Sequence, residues 1–248
     1  MTDRALEGTV ALVTGAGRSL GAAIALRLAA DGADVAITYA RSGTQADALV
    51  EQIRTTGRRA IAIRADGASA AEVEAAVQRT VEELGGLNIL VNNAGGSNMR
   101  RLGTLSVEEI DEMLDVNLRG TILATRAALP HLGDGGRIIT IGSVNAERIP
   151  FIGSTIYAAA KAGVVGFSKA LARELGAKGV TVNVVQPGPI DTEGNPADGK
   201  YGDAMAAVTT LGRFGTVDEI TALVSFLAGP ESSYITGAVL TADGGFTA

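Results

Sequence analysis

Tyr157 and Lys161 stand four residues apart in STIYAAAKAGVVGFSKALARELG, a stretch whose apolar spacing predicts a helix, so a phenol and an ammonium share one face. Alone, such a pair is ordinarily an amphipathic surface couple. It gains chemical meaning from Ser143, which follows a β-branched run, and from a glycine-rich turn near the start of the chain. The three residue types suit hydride transfer between a nicotinamide and a carbonyl. Reduction creates an alkoxide that needs a proton, and a tyrosine of pKa about 10 is protonated at neutral pH and can donate it. The reverse reaction needs the phenolate. Lowering the phenol by about three units takes roughly 4 kcal/mol of preference for the charged form, within reach of an adjacent ammonium and a cationic nicotinamide in a water-poor site. Lys161 would supply the ammonium, and Ser143 a hydrogen bond holding the carbonyl oxygen in line.

Such groups need elements to hold them. Short β-branched runs alternate with helical patterns along the whole chain, the signature of βαβ units around a buried parallel sheet. Seven strands are expected, at Val10–Val13, Asp34–Thr38, Arg59–Arg64, Leu87–Val91, Arg137–Ile141, Val180–Val185 and Val239–Thr241. Three helix starts carry a Ser or Thr with Glu three residues on: Ser69 with Glu72, Ser106 with Glu109, and Thr216 with Glu219. Glu108–Leu129 and Tyr157–Leu175 read as long helices with apolar residues on more than one face. The expected fold is a single α/β domain, a doubly wound seven-stranded parallel sheet with helices on both faces.

In such a sheet ligands bind beyond the carboxyl ends of the strands. After the first strand comes Thr14-Gly15-Ala16-Gly17-Arg18-Ser19-Leu20-Gly21, running into the helical pattern AAIALRLAA. Glycines let the backbone turn tightly against a pyrophosphate, whose charge meets the free amides of a helix N-terminus. The same turn can be purely structural, and its spacing fits G-x-G-x-x-G only approximately. After the second strand Thr38-Tyr39-Ala40-Arg41-Ser42 offers no acid before Asp47, where an NAD site would place one. Arg41 with Arg18 would instead grip a 2′-phosphate, which favours NADP(H) over NAD(H); the alternative is an ordinary solvated loop charge. Asp66-Gly67, Asn92 to Gly96, Gly142-Ser143 and Pro187-Gly188-Pro189 end the next four strands.

Composition narrows the partners. The chain has 248 residues, 46% of them apolar, a net charge of −6, one His and no Cys. Disulfides are impossible, and no conventional zinc, copper or iron site is expected. The negative balance gives no footprint for nucleic acid or an anionic membrane. No run reaches about 18 uncharged apolar residues, and a cytoplasmic location is expected.

In order along the chain stand TGAGRSLG, NNAG, Asn117 in LDVNLRG, Ser143, YAAAK and PGPIDT. In these motifs the chain resembles the classical short-chain dehydrogenase/reductases, from Gly8 to the C-terminal ITGAVLTADGGF, and among them 3-oxoacyl-(acyl carrier protein) reductases and related ketone reductases. The resemblance implies Ser143, Tyr157 and Lys161 as catalytic residues, with Asn117 kinking its helix and holding a water in the proton relay to Lys161. It implies Asp66 at the adenine, Asn93, Ala94 and Gly95 at the adenosine ribose, and Gly188, Ile190 and Thr192 at the nicotinamide. It also implies a homotetramer and a small-molecule carbonyl or alcohol substrate. Two departures stand out. Ser19 replaces the second glycine of the family's TGxxxGxG, and the stretch from Ser143 to Tyr157, which contains Asn145, Arg148, Phe151 and Ile152, is one residue longer than the commonest spacing. The segment Thr192 to Met205, TEGNPADGKYGDAM, has too little apolar surface to fix a conformation and is expected to be a mobile substrate lid, with Tyr201 or Met205 touching substrate. The rival reading is a non-catalytic, nucleotide-binding redox-sensing regulator on the same fold.

Overall fold

The structure is a computed structural model and describes residues 4–248. Strands β1 (Val10–Val13), β2 (Asp34–Tyr39), β3 (Ala60–Arg64), β4 (Ile89–Asn92), β5 (Arg137–Ile141), β6 (Thr181–Pro187) and β7 (Val239–Ala242) form one sheet in the order β3-β2-β1-β4-β5-β6-β7, every pair parallel. The helices are α1 (Ser19–Ala30), α2 (Gly43–Arg54), α3 (Ala70–Leu84), α4 (Val107–Leu114), α5 (Gly120–Ala128), α6 (Thr155–Leu175), α7 (Gly202–Ala206) and α8 (Val217–Ala228). The seven expected strands are all present.

Pleat alternation divides the core. Ala11 and Val13 of β1 face a cluster with Ile24 and Leu28 of α1, Leu49 and Ile53 of α2, and Val224 and Leu227 of α8. Val10 and Leu12 face Val77 and Leu84 of α3, Ala128 of α5, and Leu171 and Leu175 of α6. Both faces are covered, which explains why the central strands are dominated by apolar and β-branched residues: β1, β4 and β5 are buried at every position. Connection reversal on either side of β1 and β4 opens the crevice where ligands bind in this architecture.

Several expectations change in detail. The helix expected over Glu108–Leu129 is broken into α4, a π-turn at Asp115–Arg119, and α5. A π-turn leaves the 3.6-residue spacing of apolar side chains almost intact, so the sequence reads straight through it. Ser106 with Glu109 and Thr216 with Glu219 form complete capping boxes, but Ser69 caps α3 alone, because the Glu72 carboxylate accepts from the Asp66 amide instead, at 3.0 Å. Strand β6 runs on to Pro187, which pairs with Ala242 of the edge strand β7 and lends only its carbonyl side to the ladder. At the opposite end of the sheet the turns are short and rich in glycine; α3 stops at Gly85 with φ 89°, and a side chain at Gly86 would meet only open space.

Candidate active site

The glycine turn is shaped by close approach. A Cβ on Gly15, whose φ is 63°, would lie 2.7 Å from the Ala94 Cα, and one on Gly17 would lie 2.0 Å from the Ser42 Oγ. These contacts exclude side chains from the turn and draw the ends of β1, β2 and β4 together. Asn93 completes the bracing: its Nδ2 donates to the carbonyls of Thr14 and Gly15, each at 3.0 Å, and its amide donates to the Thr14 Oγ1. The Asn93 side chain is therefore engaged on the turn, while its neighbours Ala94 and Gly95, also expected at the ribose, line the cavity described next. Helix α1 opens with no side-chain cap and no acid in its first turn, which leaves its first amides and positive dipole end free for an anion. Ser19 takes φ 52°, the left-handed conformation that explains why the family keeps glycine there.

A cavity of about 820 Å³ opens over this turn. Gly15, Gly17, Arg18, Tyr39, Ala40, Arg41, Ser42, Asp66, Gly67, Ala94, Gly95 and Asn117 all line it. Arg18 and Arg41 stand exposed at its rim, 3.6 Å from Glu193 and 4.0 Å from Glu112. Leu20 instead packs against the core beneath α1, and Gly21 abuts the Asn93 amide nitrogen. Sequence reasoning missed the opposite wall, Glu109, Glu112 and Met113 of α4 and Val116 of the π-turn, of which it had singled out Glu109 only as a helix cap and Val116 only as the neighbour of Asn117. Gly120 belongs there too; a Cβ on it would lie 2.7 Å from the Gly67 carbonyl. An uncapped helix end, glycines that admit no side chain and two rim guanidiniums fit a dinucleotide phosphate.

At Gly95 and Asn117 the lining adjoins the side chains that the sequence marks as catalytic candidates. A Cβ on Gly95 would reach 2.7 Å from the Asn117 Oδ1 and 3.5 Å from the Lys161 Nζ. Asn117 donates from Nδ2 to the carbonyls of Gly96, at 2.8 Å, and Met113, at 2.9 Å, and accepts from the Gly96 amide, which fixes the π-turn to the loop after β4. Lys161 is 5% exposed; its Nζ donates to the Ile141 carbonyl at 2.8 Å and lies 5.6 Å from the centroid of the Tyr157 ring. Burial pushes the Lys161 ammonium down to about 8. Burial pushes the Tyr157 phenol up, and its hydrogen bond with Ser143 offsets part of that. The chain without its cofactor thus raises the phenol, because desolvation outweighs the Ser143 contact; the lowering expected from the sequence counted a cationic nicotinamide as well.

The remaining expected residues lie beside the cavity rather than in its lining. Gly188 packs so closely on the C-terminal turn that a Cβ would sit 2.6 Å from the Asp243 Cα. Ile190 is buried and bridges to Gly215, while Pro187 ends β6 and Thr192 pairs with Asn195. Asn145 donates its amide to the Ser143 Oγ at 3.2 Å; Phe151 and Met205 are half-buried, and Tyr201 is exposed. The segment 192–205 is not structureless: the Asp191 carboxylate accepts from the Ala197 amide, Asn195 donates to the Ile190 carbonyl, and α7 begins at Gly202. Short polar side chains bonding local backbone supply the order that apolar burial could not.

Fold and site together define a nucleotide-dependent α/β oxidoreductase. Residues 15–247 match the family described as enoyl-(acyl carrier protein) reductase. A short-chain dehydrogenase of Burkholderia cenocepacia, solved in complex with NADP, is 51% identical and superposes with a TM-score of 0.97 over 98% of this chain and 100% of that one. Two curated relatives are each 41% identical: a 3-oxoacyl-[acyl-carrier-protein] reductase of Synechocystis, with 97% of this chain and 98% of that one covered, and a cyclic-di-GMP-binding biofilm dispersal mediator protein of Escherichia coli, with 98% and 99%. The chain belongs to the classical short-chain dehydrogenase/reductase family, a family of oxidoreductases. Equal identity to relatives so differently named leaves the substrate to be argued from this chain's own residues.

Proposed function

We propose that the protein is an NADPH-dependent carbonyl reductase, reversible as an alcohol dehydrogenase, with Tyr157 as general acid and base. The observation that carries this reading is the convergence of Ser143, Tyr157, Lys161 and Asn117 at the end of a cavity built for a dinucleotide. A bound nicotinamide supplies the hydride. The Ser143 hydroxyl donates to the substrate's carbonyl oxygen and holds it in line, and Tyr157 protonates the alkoxide that forms. A phenol raised by burial stays protonated at neutral pH, which suits reduction. Lys161, pinned to the Ile141 carbonyl, places a positive charge that favours the phenolate left behind.

Arg18 and Arg41 at the rim, with no acid beside them on the β2 loop, favour a 2′-phosphate and hence NADP(H), and the NADP in the Burkholderia relative supports the same choice. Free ketones are favoured over a carrier-bound acyl group, since an acidic carrier protein wants a basic surface and His131 to Gly136 presents Asp134. A redox-sensing regulator would have no use for four intact catalytic groups. A homotetramer, taken from the family resemblance, and a cytoplasmic location, taken from the want of a long uncharged apolar run in the sequence, complete the reading; no helix among the described residues is long and apolar enough to cross a membrane.

One variant tests the chemistry and the cofactor together. Tyr157→Phe keeps the ring and removes the proton, so it should bind NADPH more tightly than NADH while losing nearly all turnover. Retention of more than about a tenth of wild-type kcat, a barrier change below roughly 1.4 kcal/mol, would show that Tyr157 is not the acid.

A further inference from the structure

Single exposed apolar side chains are ordinary, but their grouping on this molecule is not. Met99 (48% exposed) and Leu102 stand on the loop between β4 and α4, and Ile149 and Ile152 (72%) on the loop between β5 and α6. Each loop is tied to the catalytic groups. The first begins at Gly95 and at Gly96, whose amide and carbonyl both bond Asn117; the second runs from Ser143 to Ser154, three residues before Tyr157. The loops abut, because Gly153, at φ 107°, leaves no room for a side chain against the Met99 backbone, 2.9 Å from where a Cβ would stand.

Two of the three cations on the same loops are engaged elsewhere, and the one carboxylate, Glu147, is exposed. Arg100 bonds the Glu109 carboxylate and the Thr104 carbonyl. Arg148 donates to the carbonyls of Val208 and Phe246, and its guanidinium lies 5.3 Å from the Phe246 ring centroid. Arg101 is the one cation on these loops with no side-chain partner among the described residues.

We propose that the carbonyl substrate carries a bulky, uncharged apolar group seated between Met99 and Ile152. This rests on the reductase reading and names its substrate class. The apolar arm leaves water as the carbonyl meets Ser143 and Tyr157, so its burial adds to kcat/KM. An anionic substrate, which Arg101 alone could meet, would leave these apolar side chains facing a charge.

The test follows NADPH consumption with straight-chain methyl ketones of increasing length and with a matched ketone ending in a carboxylate. Wild-type kcat/KM should rise about three- to fourfold for each added methylene over the first few carbons, the value of moving each from water. The carboxylate-ended ketone should be at least tenfold poorer than its neutral match. Ile152→Asn should flatten the series, whereas Tyr234→Asn, at another exposed apolar residue away from these loops, should leave the slope alone. A flat wild-type series, or preference for the carboxylate-ended ketone, overturns this proposal and leaves the reductase reading standing. Failure to reduce any ketone overturns both.

Discussion

Replacing Lys161 by Met removes a buried ammonium and keeps an unbranched side chain of similar length. The wild-type ammonium titrates near 8 in the folded protein against 10.5 when unfolded. The unfolded chain therefore holds the proton more tightly, and between these values stability rises with pH. At pH 7 both states are largely protonated, and burying the charge costs about 3 kcal/mol relative to a group with an unshifted pKa. At pH 9 the folded group is mostly neutral and the cost falls to about 2 kcal/mol. Wild type should therefore gain about 1.3 kcal/mol on the Met variant between pH 7 and pH 9, which corresponds to a relative rise in Tm of about 3–5 °C for a chain of this size. Urea unfolding of both proteins at pH 7, 8 and 9 measures the difference; groups away from Lys161 cancel between them, and the neighbouring Tyr157, raised above its ordinary value, stays protonated across this range. Parallel pH profiles would refute the argument, for they would mean that the Lys161 ammonium keeps an ordinary affinity for its proton.

Ser19→Gly relieves a left-handed residue worth about 1–2 kcal/mol but adds about 0.5–1 kcal/mol of chain entropy, so a melting curve should show a Tm equal to or a few degrees above wild type; a clear fall would mean that the Ser19 hydroxyl holds the turn. Glu219 titrates near 2 because Arg213 and the Thr216 amide bond its carboxylate, so its contribution exists above the ordinary glutamate range and fades as pH falls through about 2. Glu219→Gln should accordingly lower Tm at pH 7 and narrow the gap to wild type as the pH approaches 2; a gap that stays constant would assign the loss to packing. If segment 192–205 closes over the site, trypsin should cut after Lys200 readily in the free protein and slowly with NADP and a substrate analogue bound, and equal rates in the two states would exclude closure.

The strands were legible because a parallel sheet buried on both faces writes its central strands as short, dense apolar and β-branched runs, as in Val10–Val13 and Ile89–Val91. The glycine turn was legible for the converse reason, that Gly15 and Gly17 stand where no side chain fits. The wall formed by Glu109, Glu112, Met113 and Val116 was not, since these residues repeat as on any amphipathic helix and only the tertiary fold turns them toward the cavity. Nor could spacing show that the Glu72 carboxylate would leave Ser69 for the Asp66 amide, because both amides lie within its reach. The rise of the Tyr157 phenol escaped for a related reason: residue type fixes the ordinary pKa, and burial, which the sequence expresses only collectively, moves it.

The polarity of the sheet separates what can be altered from what cannot. Function gathers at the carboxyl ends of the strands, while at the far end Gly86 has nothing within 4 Å of an added Cβ. The chain contains no cysteine, so any thiol introduced is the only one for a spectroscopic probe to find. A reporter on Gly86→Cys would sit across the sheet from the carboxyl ends of the strands, and a second on Tyr201→Cys would mark segment 192–205. Distances between the two labels, with and without cofactor and substrate, would then read whether that segment closes in a protein otherwise left as it is.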